Sequence, residues 1–313
     1  MTREGGTMTR RRSLALALAL AAAPVLAQPA APPRQGVVTR PVENMYSGPD
    51  DTRDVVSQAL LGQVVEVMEE KGGYLDVQTP DRYRGWIPAA AVRVYADAAE
   101  PRYASRGTVF EVTNLMANVY RNPDVTTARP RAQAPLGTRL EVVEGPRPDS
   151  SWITVRLPAG ETGHVQGGDG RVVDAAAPRK RGGEADLVAT ARRFTGVPYL
   201  WGGMSPLGVD CSGLVSQVYA VNGVILPRDA HLQFDDPSAV PVERAQLRPG
   251  DLVFFGRTKI THVGMYVGEG RFINATTHET PIVQEDSLDD PHWAALYKGA
   301  RRPGQRPGGV SAP

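Results

Sequence analysis

Cysteine is nearly absent from this chain: Cys211 is the only one among 313 residues. A single cysteine excludes an internal disulfide. An excess of one charge is absent as well, because 35 basic and 34 acidic residues leave a net charge of +1. This balance gives no indication of a nucleic-acid partner or of a strongly anionic one.

Long hydrophobic runs are also missing. The one apolar run, residues 14–26, is shorter than the roughly 20 residues that a membrane-spanning helix needs, and it contains Pro24. Because it follows Arg10–Arg12 and ends in a small-x-small pattern at Ala27, it predicts a secretory signal peptide over residues 1–27. We therefore expect export to the periplasm or cell-wall space, without a stable membrane anchor. The arginines also fit a twin-arginine signal, so the export route stays open.

Signatures of metal and cofactor binding are absent too. The five histidines do not have ligand spacing, and no cluster of histidine, cysteine and carboxylate recurs along the sequence. No glycine-rich phosphate loop precedes a predicted helix. The sequence therefore predicts neither a metal nor a cofactor.

Two β-rich segments, 36–96 and 107–174, share landmarks in the same order. The shared pairs are NMYSGP (44–49) with NVYRNP (118–123), VVEV (64–67) with LEVV (140–143), GYLDV (73–77) with SWITV (151–155), and GWI (85–87) with GHV (163–165). Alternating apolar residues between turn signals are typical of short strands. The order predicts two copies of one small all-β unit.

The pattern changes after a linker at residues 175–183. Helical spacing over 185–194 and from Cys211 to about Asn222 is followed by three apolar strand patterns at 252–255, 263–267 and 271–274. Helices followed by an antiparallel meander indicate an α+β domain, which we place at 184–302. Residues 303–313 are rich in glycine and proline and are expected to be disordered.

Cys211 stands where an apolar helix begins. Unpaired N–H groups and the positive end of the helix dipole favour the thiolate at such a position. The alternative is a small buried hydrophobic residue without a chemical role. An unpaired thiol in an exported protein favours the nucleophile, because oxidising conditions make an idle thiol a liability.

His262 begins a predicted strand, and Asn274 ends the next strand of the same hairpin. The hairpin geometry places both at one edge, where the amide oxygen of Asn274 can accept the imidazole N–H and fix its tautomer. Thiol chemistry needs such a base and a group that orients it. The alternatives are a structural histidine at 262, and His278 as the orienting group.

Five motifs carry a resemblance to a known family: PYLWGG (198–203), DCSGLV (210–215), LPRD (226–229), LRPGDLVFF (247–255) and HVGMYVG (262–268). Residues 184–300 resemble the catalytic domain of the NlpC/p60 family of papain-like cell-wall peptidases. The two β units resemble bacterial SH3-like domains. The resemblance implies two small SH3-like barrels followed by an α+β papain-like domain. The family usually has histidine at the third catalytic position, where this chain has Asn274.

The resemblance also implies a substrate and a site. It implies hydrolysis of the γ-D-glutamyl–diamino acid bond of peptidoglycan stem peptides or released muropeptides, with a preference for a free N-terminal L-Ala. The catalytic residues would be Cys211, His262 and Asn274. The implied substrate contacts are Asp210 with the ammonium, Tyr83 closing the ammonium pocket, Tyr199 near the scissile carbonyl, Asp229 facing the diamino acid, and Ser212.

Each of these residues also has a purely structural explanation. Asp210 also fits a helix N-cap, Asp229 could simply pair with Arg228, Ser212 could be a first-turn residue without a ligand, and Trp201 is expected to pack in the core. Two other functions stay open: a weakly active or inactive peptidoglycan-binding module, and a papain-like amidase or acyltransferase.

Overall fold

The structure is a computed structural model that describes residues 1–2, 34–148 and 150–304. The predicted signal peptide, apart from residues 1–2, and the predicted tail, apart from residues 303–304, lie outside these ranges.

The first β unit is a seven-stranded antiparallel sheet that curls around one core. Its strands are β1 (Arg34–Val38), β2 (Val42–Tyr46), β3 (Val55–Leu60), β4 (Val64–Lys71), β5 (Tyr74–Gln78), β6 (Arg84–Pro88) and β7 (Val92–Val94). Their order in the sheet is β3-β2-β6-β5-β4-β1-β7. Alternate residues such as Val65, Val67 and Val77 fill the core, as period-two patterning requires.

The second β unit has its own core, built around Phe110, Leu140, Val155 and Val165. Its strands are β8 (Thr108–Val112), β9 (Met116–Val119), β10 (Ala132–Pro135), β11 (Arg139–Glu144), β12 (Trp152–Arg156), β13 (Thr162–Gln166) and β14 (Gly170–Asp174). They form a five-stranded sheet, β13-β12-β11-β8-β14, and the separate pair β10-β9.

The two units repeat the same strand register. Trp86 on β6 lies opposite Asp76 on β5, and His164 on β13 lies opposite Thr154 on β12. In each unit a 3-10 turn follows, Ala89–Ala91 or Gly167–Asp169, and leads into the last strand. The four landmarks shared by the two sequences therefore correspond to equivalent positions of two similar barrels.

The third unit combines helices with an antiparallel sheet. Its elements are α1 (Glu184–Arg192), β15 (Met204–Ser205), β16 (Gly208–Val209), α2 (Cys211–Val221), α3 (Ala230–Phe234), β17 (Val240–Val242), β18 (Leu252–Phe255), β19 (His262–Gly268), β20 (Arg271–Ala275), β21 (Val283–Ser287), α4 (Pro291–Leu296) and β22 (Tyr297–Arg302). Six strands form one sheet in the order β17-β22-β18-β19-β20-β21. The predicted fold class, two SH3-like barrels and an α+β domain, is confirmed.

The six-stranded sheet buries both of its faces. Leu252 and Phe254 of β18 point into the core beneath α1 and α2, whereas Val253 and Phe255 point into a second cluster around Trp293. A continuous apolar run is expected of a strand that is covered on both sides. This sheet is the rigid support from which β19 and β20 present their polar side chains.

The segment between the second barrel and α1 has no helix or strand, in agreement with its linker composition. Arg179 of this segment donates to Glu111 of the second barrel, which also pairs with Arg139 and Arg171. These guanidinium groups lower the pKa of Glu111 to about 2, although burial opposes them. The linker is thus fixed to the barrel by a buried charge network.

Candidate active site

The sulfur of Cys211 lies at the first turn of α2, and Asp210 is the N-cap. The Asp210 carboxylate accepts a hydrogen bond of 2.6 Å from the N–H of Gly213, as N-cap residues do. The backbone N–H groups of Ser212 and Val263 lower the pKa of the thiol, but burial and the nearby Asp210 charge outweigh them and raise it to about 12. Burial therefore opposes the effect of the helix N-terminus on the pKa of Cys211, because desolvation is the larger of the two effects.

The hydrogen bond from Val263 brings Cys211 to the start of β19. Val263 directly follows His262, so the sulfur at the start of α2 lies beside the end of β19 that carries the imidazole. Burial lowers the pKa of His262 to about 4. At neutral pH the thiol and the imidazole are therefore both uncharged.

A tight hairpin brings Asn274 to His262. Glu269 and Gly270 form its turn with positive φ values of 54° and 71°, the conformation that two-residue hairpins favour. The amide oxygen of Asn274 lies 2.8 Å from Nε2 of His262. Gly264 keeps this diagonal contact open, because a Cβ there would lie 2.5 Å from the Phe272 ring and 3.1 Å from Cβ of Asn274.

Asp286 on β21 orients the amide of Asn274. Nδ2 of Asn274 donates to Oδ2 of Asp286 at 2.9 Å and to the backbone oxygen of Gln284 at 3.3 Å. A carboxylate only accepts hydrogen bonds, so the amide oxygen must face His262. Nε2 of the neutral imidazole then carries the proton and Nδ1 is the base. Sequence reasoning missed Asp286, since no spacing rule relates it to His262.

His278 does not contact His262 by a hydrogen bond. Its ring stacks on His292 with the centroids 3.7 Å apart and the planes at 5°. The His262 ring instead stacks on Trp293, with the centroids 5.0 Å apart. Of the two orienting groups considered from the sequence, Asn274 is the one placed beside the imidazole.

Asp210 is held by a buried arginine. Nη2 and Nη1 of Arg228 lie 2.7 Å and 3.1 Å from the two carboxylate oxygens, and the N–H of Gly202 donates at 3.0 Å. Arg228 is 1 % exposed, and its charge compensates that of Asp210. Asp210 as the partner of a substrate ammonium stays a prediction, although its two oxygens already accept hydrogen bonds from Arg228 and Gly202 in the free chain. The charge of Asp229 also acts on Arg228, although the salt bridge of Arg228 is to Asp210.

The same arginine links three parts of the chain. Its Nε donates to the hydroxyl of Ser57 on β3 at 2.9 Å, and its Nη1 donates to the hydroxyl of Ser212 at 3.0 Å. Ser212 is buried and its hydroxyl also contacts Asp210 at 3.2 Å. Ser212 is thus part of the polar network beneath Cys211. The sequence motif contained Arg228 but gave no reason to expect its partner in the first barrel.

Tyr83 of the first barrel reaches Asp229 of the catalytic domain. The phenol donates to Oδ2 of Asp229 at 3.2 Å. Burial and the Asp229 charge raise the pKa of Tyr83 to about 12, so the phenol keeps its proton. Asp229 is half-buried and its carboxylate does not cap α3. The two residues that the sequence assigned to different parts of the substrate are therefore neighbours.

Sequence and structure comparisons agree on the family. The NlpC/P60 family profile matches residues 196–302, and the bacterial dipeptidyl-peptidase SH3 domain profile matches residues 45–92. The γ-D-glutamyl-L-lysine dipeptidyl-peptidase of Bacillus cereus is 31% identical over 258 residues, which cover 79% of this chain and 74% of the relative. The chain belongs to the NlpC/P60 family. It is a cysteine peptidase with SH3-like domains.

Two further relatives of this NlpC/P60 peptidase match over most of its length. Dipeptidyl-peptidase 6 of Lysinibacillus sphaericus is 29% identical over 84% of this chain and 94% of its own. The crystal structure of an NlpC/P60 family protein from Bacillus cereus superposes with a TM-score of 0.75 at 26% identity, covering 86% of this chain and 99% of the other. The likeness thus extends over the barrels as well as the peptidase domain.

Tyr199 lies near Cys211 of this NlpC/P60 peptidase, and Trp201 contacts the first barrel. Burial and the neighbouring Cys211 and Asp210 raise the pKa of Tyr199, so its phenol stays a hydrogen-bond donor. Trp201 is 70% exposed, and its indole N–H donates to the backbone oxygen of Val55 at 3.1 Å. The expectation of core packing for Trp201 is wrong, because most of the side chain is exposed and its N–H bonds to the first barrel.

The described residues of the NlpC/P60 chain contain no group of three or more histidine, cysteine, aspartate or glutamate side chains arranged for a metal ion. No helix within the described residues has both the length and the apolar character that crossing a membrane requires.

Proposed function

We propose that this peptidase hydrolyses the γ-D-glutamyl–diamino acid bond of peptidoglycan stem peptides and prefers peptides with a free amino end. The observation that supports the proposal is the hydrogen bond between Tyr83 of the first barrel and Asp229, the residue after Arg228, which binds the N-cap carboxylate next to Cys211. The B. cereus relative, named for γ-D-glutamyl-L-lysine, supports the bond type. Membership of a cysteine peptidase family argues against an inactive binding module.

In the proposed mechanism, Cys211 is the nucleophile and His262 is the base. Nδ1 of the neutral imidazole takes the thiol proton as the sulfur attacks the γ-carbonyl carbon of the D-glutamyl residue. The C–N bond then breaks, and the imidazolium gives its proton to the departing amine, leaving a thioester on Cys211. Water, deprotonated by His262, hydrolyses the thioester and restores the thiol. Asn274 holds the imidazole in the required tautomer throughout.

Tyr199 fits the role of a donor to the carbonyl oxygen. Its phenol stays protonated beside Cys211, so it can donate a hydrogen bond when negative charge develops on that oxygen. Ser212 supports the site indirectly by fixing Arg228 and Asp210 beneath the sulfur.

Asp229, rather than Asp210, is the proposed partner of the substrate ammonium. Asp210 is compensated by Arg228, whereas the one side-chain contact of Asp229 within the described residues is the neutral phenol of Tyr83. A substrate ammonium between Tyr83 and Asp229 would supply a hydrogen-bonded positive partner, whereas Arg228 acts on Asp229 only through its charge. Because a barrel residue closes this pocket, stems still amide-linked to glycan would be poor substrates.

Hydrolysis of L-Ala-γ-D-Glu-meso-diaminopimelate tests the proposal, with and without N-acetylation. Mass spectrometry should detect L-Ala-γ-D-Glu with wild type but not with Cys211→Ala. Acetylation should lower kcat/KM at least about tenfold, since it removes the charge that Asp229 binds. Asp229→Asn should abolish this preference, whereas Asp235→Asn, an exposed control with the same charge change, should keep it.

Several outcomes would contradict this function. Equal turnover of the free and acetylated peptides would reject the ammonium pocket and point to intact wall as the substrate. Release of a product cut at another bond would favour the amidase or acyltransferase alternative. No cleavage of any stem peptide would reject the endopeptidase itself.

The site of action is proposed to be the periplasm or cell-wall space. The basic residues 10–12, the apolar run 14–26 and the small-x-small pattern at Ala27 support export. Mass spectrometry of the protein from an extracytoplasmic fraction should give an N-terminus at Gln28, and an intact N-terminus in the cytoplasm would contradict it.

A further inference from the structure

A cavity of about 280 Å³ opens beside His262. Phe255 and Leu296 form its apolar walls, and the loop of residues 256–261 between β18 and β19 forms its polar wall. Its volume is close to the lower end of ligand pockets, roughly 300 Å³. The proposed mechanism and the Tyr83–Asp229 pocket leave this cavity without a role.

Backbone hydrogen bonds and a close approach at Gly256 fix the shape of this loop. The N–H of Gly256 donates to the backbone oxygen of Leu296 at 2.9 Å, and the N–H of Thr261 donates to that of Phe255 at 3.0 Å. A Cβ at Gly256 would lie 1.9 Å from the backbone oxygen of Lys259, so only glycine permits this closure. The side chains that line the cavity therefore start from a defined backbone.

The charge of the cavity wall is positive and uncompensated. Arg257 and Lys259 line it, and its lining contains no acidic side chain. In the same domain, arginines 192, 228, 244, 271 and 302 pair with carboxylates, and Arg193 and Arg301 donate to backbone oxygens. Among the residues that the structure describes, Arg257 and Lys259 form no such pair, so both remain available to an anion.

We infer that this cavity binds the departing diamino acid and that Arg257 and Lys259 select one with a second carboxylate. The inference rests on the proposed function, in which His262 protonates the leaving amine. The leaving residue must then lie against His262, which also lines the cavity. A tripeptide that ends in diaminopimelate presents two carboxylates to the two cations, whereas one that ends in lysine presents a single carboxylate.

Three tripeptides of the form L-Ala-γ-D-Glu-X test the inference. X is meso-diaminopimelate, the same residue amidated at its distal carboxyl, or L-lysine. We expect kcat/KM for diaminopimelate to exceed that of the other two about five- to tenfold, the range of one charge-assisted contact at a partly exposed site. The amidated peptide keeps size and amine, so it isolates the carboxylate.

The double variant Arg257→Gln/Lys259→Gln should bring the three kcat/KM values within about threefold of one another. This spread is smaller than the effect of one charge-assisted contact. The control Arg106→Gln/Lys298→Gln removes the same charge at exposed positions outside the cavity lining and should keep the preference. Equal wild-type rates for the three peptides, or loss of the preference in the control, would overturn the inference while the proposed function stands. No cleavage of any of the three would instead reject the proposed function, and the inference with it.

Discussion

The side-chain amide of Asn274 donates a hydrogen bond of 2.9 Å to the carboxylate of Asp286, and this contact decides which end of the amide faces His262. With the amide turned the other way, its NH2 group would meet Nε2 and the imidazole proton would sit on Nδ1. The base needed to deprotonate Cys211 would then be lost.

Asp286→Asn should therefore slow hydrolysis by about one to two powers of ten, because a second amide no longer dictates the orientation of the first. The Asp286 charge also raises the pKa of His262, so its removal should shift the acid limb of the kcat/KM profile to lower pH. Glu285→Gln, on the neighbouring residue that pairs with Arg192, is the matched control. An Asp286→Asn profile identical to wild type in rate and pH would contradict the orienting role.

Asn274→Ala should lower the rate more than His278→Ala does. Asn274 lies 2.8 Å from the imidazole, whereas His278 stacks on His292. Losing the orienting group should cost about one to a few powers of ten in kcat. Steady-state kinetics of both variants decides the matter, and a larger loss with His278→Ala would show that the assigned triad is wrong.

The pH dependence should follow from an imidazole that is neutral in the free enzyme. Burial lowers the pKa of His262 from 6.5 to about 4, so the base form is present above this value and is lost as pH falls through it. The acid limb of kcat/KM should lie well below 6.5. A midpoint at 6.5 or above would argue against this environment for His262.

Alkylation gives a separate measure of the thiol. Because the pKa of Cys211 is raised to about 12, iodoacetamide should react slowly at neutral pH, and the rate should keep rising with pH to at least about 9, beyond the usual titration of a free thiol near 8.5. The labelled residue can be verified by peptide mass spectrometry. A fast rate that is constant between pH 6 and 9 would instead indicate a resting thiolate.

Arg228→Met should destabilise the fold by about 3–5 kcal/mol, because it leaves the buried Asp210 carboxylate unpaired. The exposed pair Arg147–Glu144 supplies a control, since Arg147→Met should cost about 1 kcal/mol or less. Urea unfolding monitored by tryptophan fluorescence measures both. Equal small effects would show that Arg228 contributes no more than a surface arginine.

Local sequence patterns predicted the elements and contacts that depend on residues close together in the chain. The strand at 252–255 matches β18, and the spacing between His262 and Asn274 anticipated their contact because one short turn fixes it. The helix start at Cys211 followed from Asp210 as N-cap. These features depend on interactions within about a dozen residues.

The contacts that Arg228 and Tyr83 make between the first barrel and the peptidase domain could not be predicted in the same way. Ser57 and Arg228 are 171 residues apart, and Tyr83 and Asp229 are 146 residues apart. No periodicity or spacing rule relates positions that meet only after two domains have packed. The desolvation that raises the pKa of Cys211 could not be predicted either, because it comes from the whole surrounding core rather than from its own helix.

The hydrogen bond from Arg228 to Ser57 constrains how such a chain can be rebuilt by recombination. A crossover that exchanged the first barrel for another β-barrel would remove two residues at once. One is Ser57, which accepts a hydrogen bond from the buried Arg228, and the other is Tyr83, whose phenol contacts Asp229. The new chain would lose stability and selectivity together. A graft of this peptidase domain onto another barrel must therefore carry Ser57 and Tyr83 with it.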